Sequence, residues 1–315
     1  MAEPIIIDAH VHFYGDNKQF LLAKETYEVW EYGTKADVRW GRYGGDPEDI
    51  LKAMDDAGVS QTVIINLFAV SRVRGRAIAE LPEGLSEAQK QEAIRTIDES
   101  LGDRLKSSNM RCCNASREDP RQVPFIAADP WVLSTEEMQA HIQEMVEHQG
   151  AKGIKVHQGL QDFYMYDERM LPVCRTCVEL GIPILAHSGP LRGVDQYAEP
   201  KAYAEVLKSF PEFRLVLAHL GGGAWRQTLE LAQAYPNVYF DCCEIIEWTG
   251  APNAPTGREL AQLILDVGPE RVMVASDFPW YDMDSMVQRV MELPLLSREQ
   301  KEAILGDNAI QIYKL

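Results

Sequence analysis

The sequence predicts an α/β fold, a (β/α)₈ TIM barrel formed by one domain over residues 1–315. Short runs rich in β-branched residues alternate with amphipathic stretches from end to end, the pattern of repeated βα units around a parallel sheet. A chain of 315 residues that is 46% hydrophobic can also bury a core of the required size.

Eight runs are predicted to be strands, because each is short and apolar and is followed by residues typical of turns. In chain order they are residues 5–13, 62–68, 123–127, 153–157, 183–187, 214–219, 238–242 and 272–276. Between them, segments such as 138–146 repeat apolar residues three and four positions apart, which predicts helices that pack one face on the sheet.

Helix boundaries are visible as capping residues. Pro47 follows Asp46 at a predicted helix start, and Ser134 precedes Glu137 at capping-box spacing. Gly58 follows another predicted helix, where a left-handed cap is expected. Residues 69–122 are too many for a single crossover and include a polar helix-like stretch at 86–106. We therefore expect an insertion after strand two that helps to cover the barrel mouth.

The formal net charge of −17, with the 31 Lys and Arg residues scattered, is unfavourable for binding nucleic acid or an anionic membrane. An apolar strand begins within a few residues of the N-terminus, and no apolar run is long enough to span a bilayer. We expect a cytoplasmic protein whose binding partner is a small molecule.

Six cysteines lie next to each other or one helical turn apart, at Cys112, Cys113, Cys174, Cys177, Cys242 and Cys243. This spacing suits a disulfide scaffold poorly, so reduced thiols are expected. Cys174 and Cys177 are predicted to be packing residues rather than a redox or zinc motif. One of Cys242 and Cys243 should face the pocket, with packing favoured over a role as an extra metal ligand.

Five of the seven histidines fall at or near the C-terminal ends of predicted strands, where barrel enzymes place their active sites. His10 and His12 alternate with apolar residues, so both should point into the barrel. Two neutral imidazoles on one face can bind a divalent ion at about 2.0–2.1 Å. A lone His-x-His on a strand is also found as partly buried surface.

His187, His219 and Asp277 each end an apolar strand and are followed by loop residues. Taken singly, a core histidine or a helix-capping aspartate is the alternative interpretation. Coincident placement at several strand ends favours a shared site instead.

These motifs, in order, resemble the amidohydrolase superfamily over nearly the whole chain. The residues that carry the resemblance are Asp8-Ala-His-Val-His12, Gly153-Ile-Lys-Val-His157, His187-Ser-Gly, His219-Leu-Gly-Gly, Ser276-Asp277 and Gly306-Asp-Asn-Ala309. More narrowly they are similar to the amidohydrolase-2 branch, which includes aminocarboxymuconate-semialdehyde decarboxylase, resorcylate-type decarboxylases, hydratases and lactonases.

The resemblance implies that one divalent metal is held by His10, His12, His187 and Asp277. Zinc is expected first, with manganese and iron as alternatives. It also implies that His219, with Asp277, is catalytic and orients or deprotonates a metal-activated water, whose pKa falls to about 7. Family members often form homodimers through barrel-side helices, so a homodimer is expected here.

His157 and Lys155 share the inward face of strand four, and the resemblance places His157 in contact with substrate. Lys155 has two alternatives: it is carbamylated and bridges two metals, or it is unmodified and pairs with Asp8. Loop residues predicted to recognise a planar or carboxylated molecule are Arg192, Trp225 and Trp280, together with Arg42, Tyr43, Arg72, Arg74, Arg226 and Glu244. Ordinary surface placement is the alternative for each arginine.

Three functions follow from these expectations. The first is a metal-dependent hydrolase of a small lactone, ester or amide. The second is a metal-dependent non-oxidative decarboxylase of an aromatic or muconate-like acid. The third is a catalytically idle barrel that retains a metal and binds a ligand.

Overall fold

The computed structural model describes residues 5–25, 31–190 and 197–315. Eight parallel strands form one sheet, in which each strand pairs with the next one along the chain. They are β1 Ile7–His12, β2 Gln61–Ile65, β3 Gln122–Ala127, β4 Gly153–Val156, β5 Ile184–Ala186, β6 Leu215–Leu217, β7 Val238–Asp241 and β8 Val272–Met273. All eight predicted strands are therefore present.

The sheet closes where the chain beyond β8 returns to β1. The Ala9 amide donates to the carbonyl of Val274 at 3.0 Å, and the Asp277 amide donates to the carbonyl of His10 at 2.9 Å. Val11 and Phe278 form a parallel bridge farther along. These contacts confirm the predicted (β/α)₈ barrel and place Asp277 beside the first strand.

Helices and helical turns connect the strands. The described α-helices are α1 Asn17–Glu25, α2 Pro47–Ala57, α3 Ser71–Ala79, α4 Glu87–Glu118, α5 Thr135–Glu147, α6 Gln158–Gln161, α7 Leu171–Leu180, α8 Ala204–Ser209, α9 Thr228–Ala234, α10 Gly257–Val267, α11 Met283–Glu292, α12 Arg298–Glu302 and α13 Asn308–Tyr313. Turns of 3₁₀ helix cover Pro200–Tyr203 and Pro269–Arg271, and a π-helical turn covers Ala303–Asp307. Ala218–Gln227 is a segment of turns in which residues 219–222 have non-helical backbone angles.

The predicted capping residues occupy their expected positions. Asp46 accepts a hydrogen bond from the amide of Asp49 at the start of α2, and Gly58 ends that helix at φ 67°. Ser134 and Glu137 form a reciprocal capping box at the start of α5. These contacts satisfy backbone groups that the helix ends leave without partners.

Two helices, α3 and α4, lie between β2 and β3. The C-terminal half of α4 buries Leu105, Cys112 and Ala115, so this long helix also serves as the crossover to β3. The polar stretch predicted at 86–106 is its N-terminal part. That the segment is an insertion which covers the mouth stays a prediction.

Apolar side chains fill the space around the strands. Tyr313 of α13 packs edge-on against Phe125 with ring centroids 4.8 Å apart, within a cluster that includes Leu185 and Val216. All six cysteines are buried and free. Among the described residues, no helix is both long enough and apolar enough to span a membrane.

Candidate metal centre

Polar side chains gather where the strands end. They are His10, His12, Lys155, His157, His187, His219, Asp241, Glu244 and Asp277, none more than 8% exposed. Burial of so many ionisable groups is costly unless they bind one another or a ligand. Their mutual contacts therefore define the candidate site.

Asp277 contacts the imidazoles of both histidines on the first strand. Its Oδ1 lies 3.0 Å from Nε2 of His12 and 3.3 Å from Nε2 of His10. Burial, followed by the charge of Lys155, lowers the pKa of His12 to about 3 and also depresses the pKa of His10. Both rings are therefore neutral, and Oδ1 of Asp277 is buried without a hydrogen-bond partner among the described residues.

The sequence places Asp277 there through an unusual backbone conformation. The residue directly after Ser276 adopts φ 57°, in the left-handed region that only a minority of non-glycine residues occupy. The amide of Asp277 is fixed by the carbonyl of His10 at 2.9 Å. The same hydrogen bond therefore contributes both to barrel closure and to the placement of the Asp277 carboxylate.

His187 and His219 form a second group of imidazoles. Nδ1 of His187 lies 3.1 Å from Nε2 of His219, and the ring of His157 stacks on that of His187 at 3.8 Å. Nε2 of His187 and Nδ1 of His157 are buried without partners within the described part of the chain. Burial lowers the pKa of His219 to about 4, so this ring is also neutral at pH 7.

Lys155 contacts the first-strand pair from β4. Its Nζ lies 3.0 Å from Nε2 of His10 and is fully enclosed. Of the two alternatives for Lys155, the pairing with Asp8 is wrong, because Asp8 accepts instead from the backbone amides of His10 at 3.2 Å and Ser276 at 2.9 Å. Desolvation by burial raises the pKa of Asp8 to about 7.

Asp241 is a site residue that the sequence analysis missed. Its Oδ2 lies 3.1 Å from Nδ1 of His10, and its Oδ1 accepts from the amide of His219 at 2.8 Å and the thiol of Cys243 at 2.9 Å. The predicted seventh strand ended on Cys242, which drew attention to the residues after Asp241. Alternation of Tyr239, Asp241 and Cys243 along one face was the available signal.

Among the described residues there are three sets of side chains whose possible ligand atoms, within each set, lie no more than 4.8 Å apart. They are His10, Cys243 and Asp277; His219, Asp241 and Cys243; and His219, Glu244 and Asp277. His12 and His187 belong to none of these groups, although each contacts a member, Asp277 and His219 respectively. The donors are those that transition-metal ions prefer, and the unpaired oxygen of Asp277 beside two neutral imidazoles fits a cation.

A cavity of about 450 Å³ opens beside His12. Its lining consists of His12, Phe13, Tyr14, Gly15, Asn66, Leu67, Phe68, Arg104, Ser107, Ser108 and Arg111. Aromatic rings and two guanidinium groups thus share one wall with a member of the candidate centre. Arg104 and Arg111 lie on α4, far in sequence from the C-terminal end of any strand, and no motif marks them as site residues.

The loop residues proposed for substrate recognition have varied positions. Trp225 is buried and its indole N–H donates to the carbonyl of Asn253 at 3.2 Å, while Trp280 packs against Phe20 at 5.6 Å. Neither lines the cavity beside His12. Arg192 lies outside the described residues.

The other proposed arginines are mostly paired with carboxylates or rings. Arg42 pairs with Asp282, Arg74 pairs with Asp98, and Arg226 stacks on the ring of Trp225. Tyr43 donates to a carboxylate oxygen of Asp56 at the surface. The side chain of Arg72 lies outside the described part, and Glu244 reaches His219 with Oε2 3.4 Å from Nδ1.

Solved structures with the same fold cover nearly the whole chain. A TIM-barrel protein from Bordetella bronchiseptica is 18% identical, with 98% of each chain covered and a TM-score of 0.70. A 5-carboxyvanillate decarboxylase from Novosphingobium aromaticivorans, complexed with manganese and a nitrobenzoic acid, is 15% identical over 99% of this chain and 96% of the other, with a TM-score of 0.65. A probable 2-pyrone-4,6-dicarboxylic acid hydrolase from Acinetobacter baumannii is 13% identical over 98% and 99%, with a TM-score of 0.56.

The comparison with curated proteins found no match. The amidohydrolase family model matches residues 7–315, which is nearly the whole chain. That span includes both histidines of β1, the strand-end histidines of the barrel and Asp277. The chain therefore belongs to the amidohydrolase family, in its amidohydrolase-2 branch.

Proposed function

We propose that this protein is a metal-dependent hydrolase that opens a lactone, ester or amide in a small carboxylated substrate. The observation that carries the proposal is the convergence of two neutral imidazoles, His10 and His12, on the unpaired buried Oδ1 of Asp277. Uncharged imidazole nitrogens and a carboxylate oxygen are ligand atoms that a divalent ion prefers, so these three side chains are suited to share one cation.

The proposed ligands of one divalent ion are His10, His12, His187 and Asp277. Oδ1 of Asp277 and Nε2 of His187 are buried without hydrogen-bond partners among the described residues, and Nε2 of His10 and of His12 face Asp277. Zinc is the first expectation, and the manganese bound by the similar decarboxylase supports manganese as an alternative. When bound, such an ion would polarise a carbonyl group and lower the pKa of a water to about 7.

His219 is the proposed base. Its ring is neutral, which is the form that accepts a proton, and its Nδ1 lies 3.4 Å from the carboxylate of Glu244. A neighbouring carboxylate stabilises the imidazolium that forms when Nε2 takes a proton. To act in this way, Nε2 exchanges its contact with His187 for a water. Asp277, grouped with His219 and Glu244, is the second residue proposed to handle the proton.

The cavity beside His12 supports a carboxylated substrate. Arg104 and Arg111 line it and are exposed, and within the described part of the chain neither forms an ion pair with a carboxylate. Guanidinium groups bind carboxylates through paired charge-assisted hydrogen bonds. Tyr14 and Phe68 supply walls for a planar molecule. His157, whose Nδ1 lacks a partner, is proposed to contact the substrate near the metal.

Non-oxidative decarboxylation is the second candidate. It is favoured by the greater similarity to the 5-carboxyvanillate decarboxylase, with a TM-score of 0.65 against 0.56 for the hydrolase. Decarboxylation requires that a carbon atom of the substrate be protonated, so the site must supply a proton from a charged His219 or from another acid. Because burial keeps His219 neutral, hydrolysis remains the first proposal.

The two reactions are separated by their products. Metal-free protein is reloaded with zinc or manganese and given either 2-pyrone-4,6-dicarboxylate or ¹³C-carboxyl-labelled 5-carboxyvanillate. We expect metal-dependent ring opening of the pyrone and no labelled CO₂. Release of CO₂ without ring opening would replace hydrolysis by decarboxylation, and a His219→Asn variant as active as the native protein would overturn both. The expected homodimer and cytoplasmic location stay predictions.

A further inference from the structure

Asp241 connects the two groups of imidazoles. One carboxylate oxygen, Oδ2, lies 3.1 Å from Nδ1 of His10. The other, Oδ1, accepts from the backbone amide of His219 at 2.8 Å and from the thiol of Cys243 at 2.9 Å. Asp241 and Cys243 are fully enclosed, so neither exchanges these contacts for solvent.

The contact with Asp241 determines which nitrogen of His10 carries the proton. A carboxylate only accepts hydrogen bonds, so the proton of the neutral ring lies on Nδ1. Nε2 is then unprotonated, and it accepts from Nζ of Lys155 at 3.0 Å. This is the nitrogen that faces Asp277, at 3.3 Å.

The thiol of Cys243 determines in a similar way which nitrogens of His219 and His187 carry a proton. Because the Cys243 thiol donates to Asp241, its sulfur is free to accept, and Nδ1 of His219 lies 3.1 Å away. A proton on Nδ1 leaves Nε2 of His219 to accept from Nδ1 of His187 at 3.1 Å. Nε2 of His187 is then left unprotonated and, within the described residues, without a partner.

We infer that Asp241 and Cys243 are positioning residues that set the tautomers of three imidazoles, His10 directly and His219 and His187 through the thiol. The inference rests on the proposed function in one respect, that His10 and His187 bind the metal through Nε2. Partners of this kind around metal-binding histidines fix ring orientation and strengthen the ligands. Asp241 also holds the backbone of His219, which adopts φ 62°.

Cys242 supplies a matched control. It is equally buried and adjacent in sequence, but it packs in the main apolar cluster, whereas Sγ of Cys243 has polar atoms of three residues within 3.5 Å. Cys243→Ala removes the thiol that connects Asp241 to His219. Cys243→Ser keeps a hydroxyl that donates and accepts, and Cys242→Ala removes only packing.

The test is the tautomer of each histidine in metal-free protein, read from two-bond ¹⁵N–¹H correlation spectra. We expect His10, His187 and His219 to carry the proton on Nδ1 in the native protein. In Cys243→Ala, signals of the Nε2-protonated form should appear for His219 and His187 but not for His10. Cys243→Ser and Cys242→Ala should match the native spectrum, and Asp241→Asn should alter His10 as well.

Zinc affinity, measured by competition with a chelator, is the second readout. We expect about 10- to 100-fold weaker binding in Cys243→Ala and in Asp241→Asn, and less than about threefold change in the other two variants. Unchanged His219 and His187 signals in Cys243→Ala would mean that Glu244 sets the tautomer of His219, and would overturn the role inferred for Cys243. Native protein that binds no zinc, yet shows these tautomer changes, would contradict the metal-centre proposal while leaving the positioning role intact.

Discussion

Nε2 of His12 lies 3.0 Å from Oδ1 of Asp277, although one residue ends the first strand and the other follows the last. Both are buried, and His12 is neutral because burial and Lys155 lower its pKa to about 3. The imidazole of His12 is therefore uncharged, so the two side chains do not form an ion pair. Both belong to the set of ligands that we propose for a divalent ion.

Asp277→Asn is expected to weaken zinc binding more than about 100-fold and to abolish measurable turnover, because a charged ligand becomes a neutral amide. The fold should persist, since the change removes the cost of a buried charge. Metal content by mass spectrometry and circular dichroism measure the two effects.

Asp284→Asn is the control, because that aspartate pairs with Arg42 at the surface, away from the strand-end histidines. Full native zinc affinity in Asp277→Asn would remove this residue from the metal site.

Arg104→Ala and Arg111→Ala are each expected to raise KM for a carboxylated substrate about tenfold and to leave kcat nearly unchanged. The physical reason is the loss of a charge-assisted hydrogen bond to the carboxylate, worth about 1.5–3 kcal/mol. Steady-state kinetics with the acid and its methyl ester measure the effect, which should vanish for the neutral ester.

Arg117→Ala is the matched control, an exposed arginine on the same helix that bonds to Asn114 and does not line the cavity. An equal rise in KM in this variant would point to general electrostatics, and the cavity would lose its role in recognition.

His141 should make the protein less stable in mild acid. Its Nε2 accepts from the Asn109 amide at 3.0 Å, and burial lowers its pKa from 6.5 to about 4. The unfolded chain therefore binds a proton between pH 6.5 and 4 that the folded chain does not, and stability falls as the pH falls through this window. Urea unfolding at several pH values measures the slope.

His141→Gln keeps an acceptor for Asn109 but does not titrate, so its stability should depend less on pH over the same range. His148→Gln, which changes an exposed histidine, should leave the native slope unchanged. Identical slopes for the native protein and His141→Gln would contradict the prediction.

Gly222→Ala should lower the free energy of unfolding by roughly 2–4 kcal/mol. The backbone is left-handed at φ 55°, and an added Cβ would lie 2.9 Å from the Cα of Gly189 and from the carbonyl oxygen of Ser188. Backbone strain and overpacking therefore act together. Activity should fall as well, because the loop directly follows His219.

Gly250→Ala separates the two causes, since its φ of 88° is also left-handed but the space around it is open. It should cost about 1 kcal/mol from strain alone. Urea titration compares the two variants, and equal losses would show that the contacts around Gly222 contribute nothing.

Much of the fold followed from local patterns. Strand runs, helix periodicity and caps such as Ser134 with Glu137 depend on neighbouring residues, so the sequence displays them directly. The strand-end histidines were visible for the same reason, because parallel strands bring their carboxyl ends to one rim. The predicted strand limits were approximate, and the structure shortens most of them.

Contacts between segments that are distant in the chain could not be predicted as well from the sequence. The sequence could not show that Lys155 reaches His10 rather than Asp8, because both partners lie on the same face of the same strand and only the alignment of β4 with β1 across the barrel decides between them. Arg104 and Arg111 were missed for a related reason, since α4 brings them to the cavity from a segment that looks like ordinary polar helix.

The sequence by itself determined the parallel barrel, its family and the residue types at the rim, because strand periodicity and motif order are encoded locally. The tertiary structure alone decided which nitrogen meets which oxygen. Asp241 shows the difference: it becomes a partner of His10 and His219 only when β7 lies beside β6 and near β1, and closure of the barrel is a property of the whole chain.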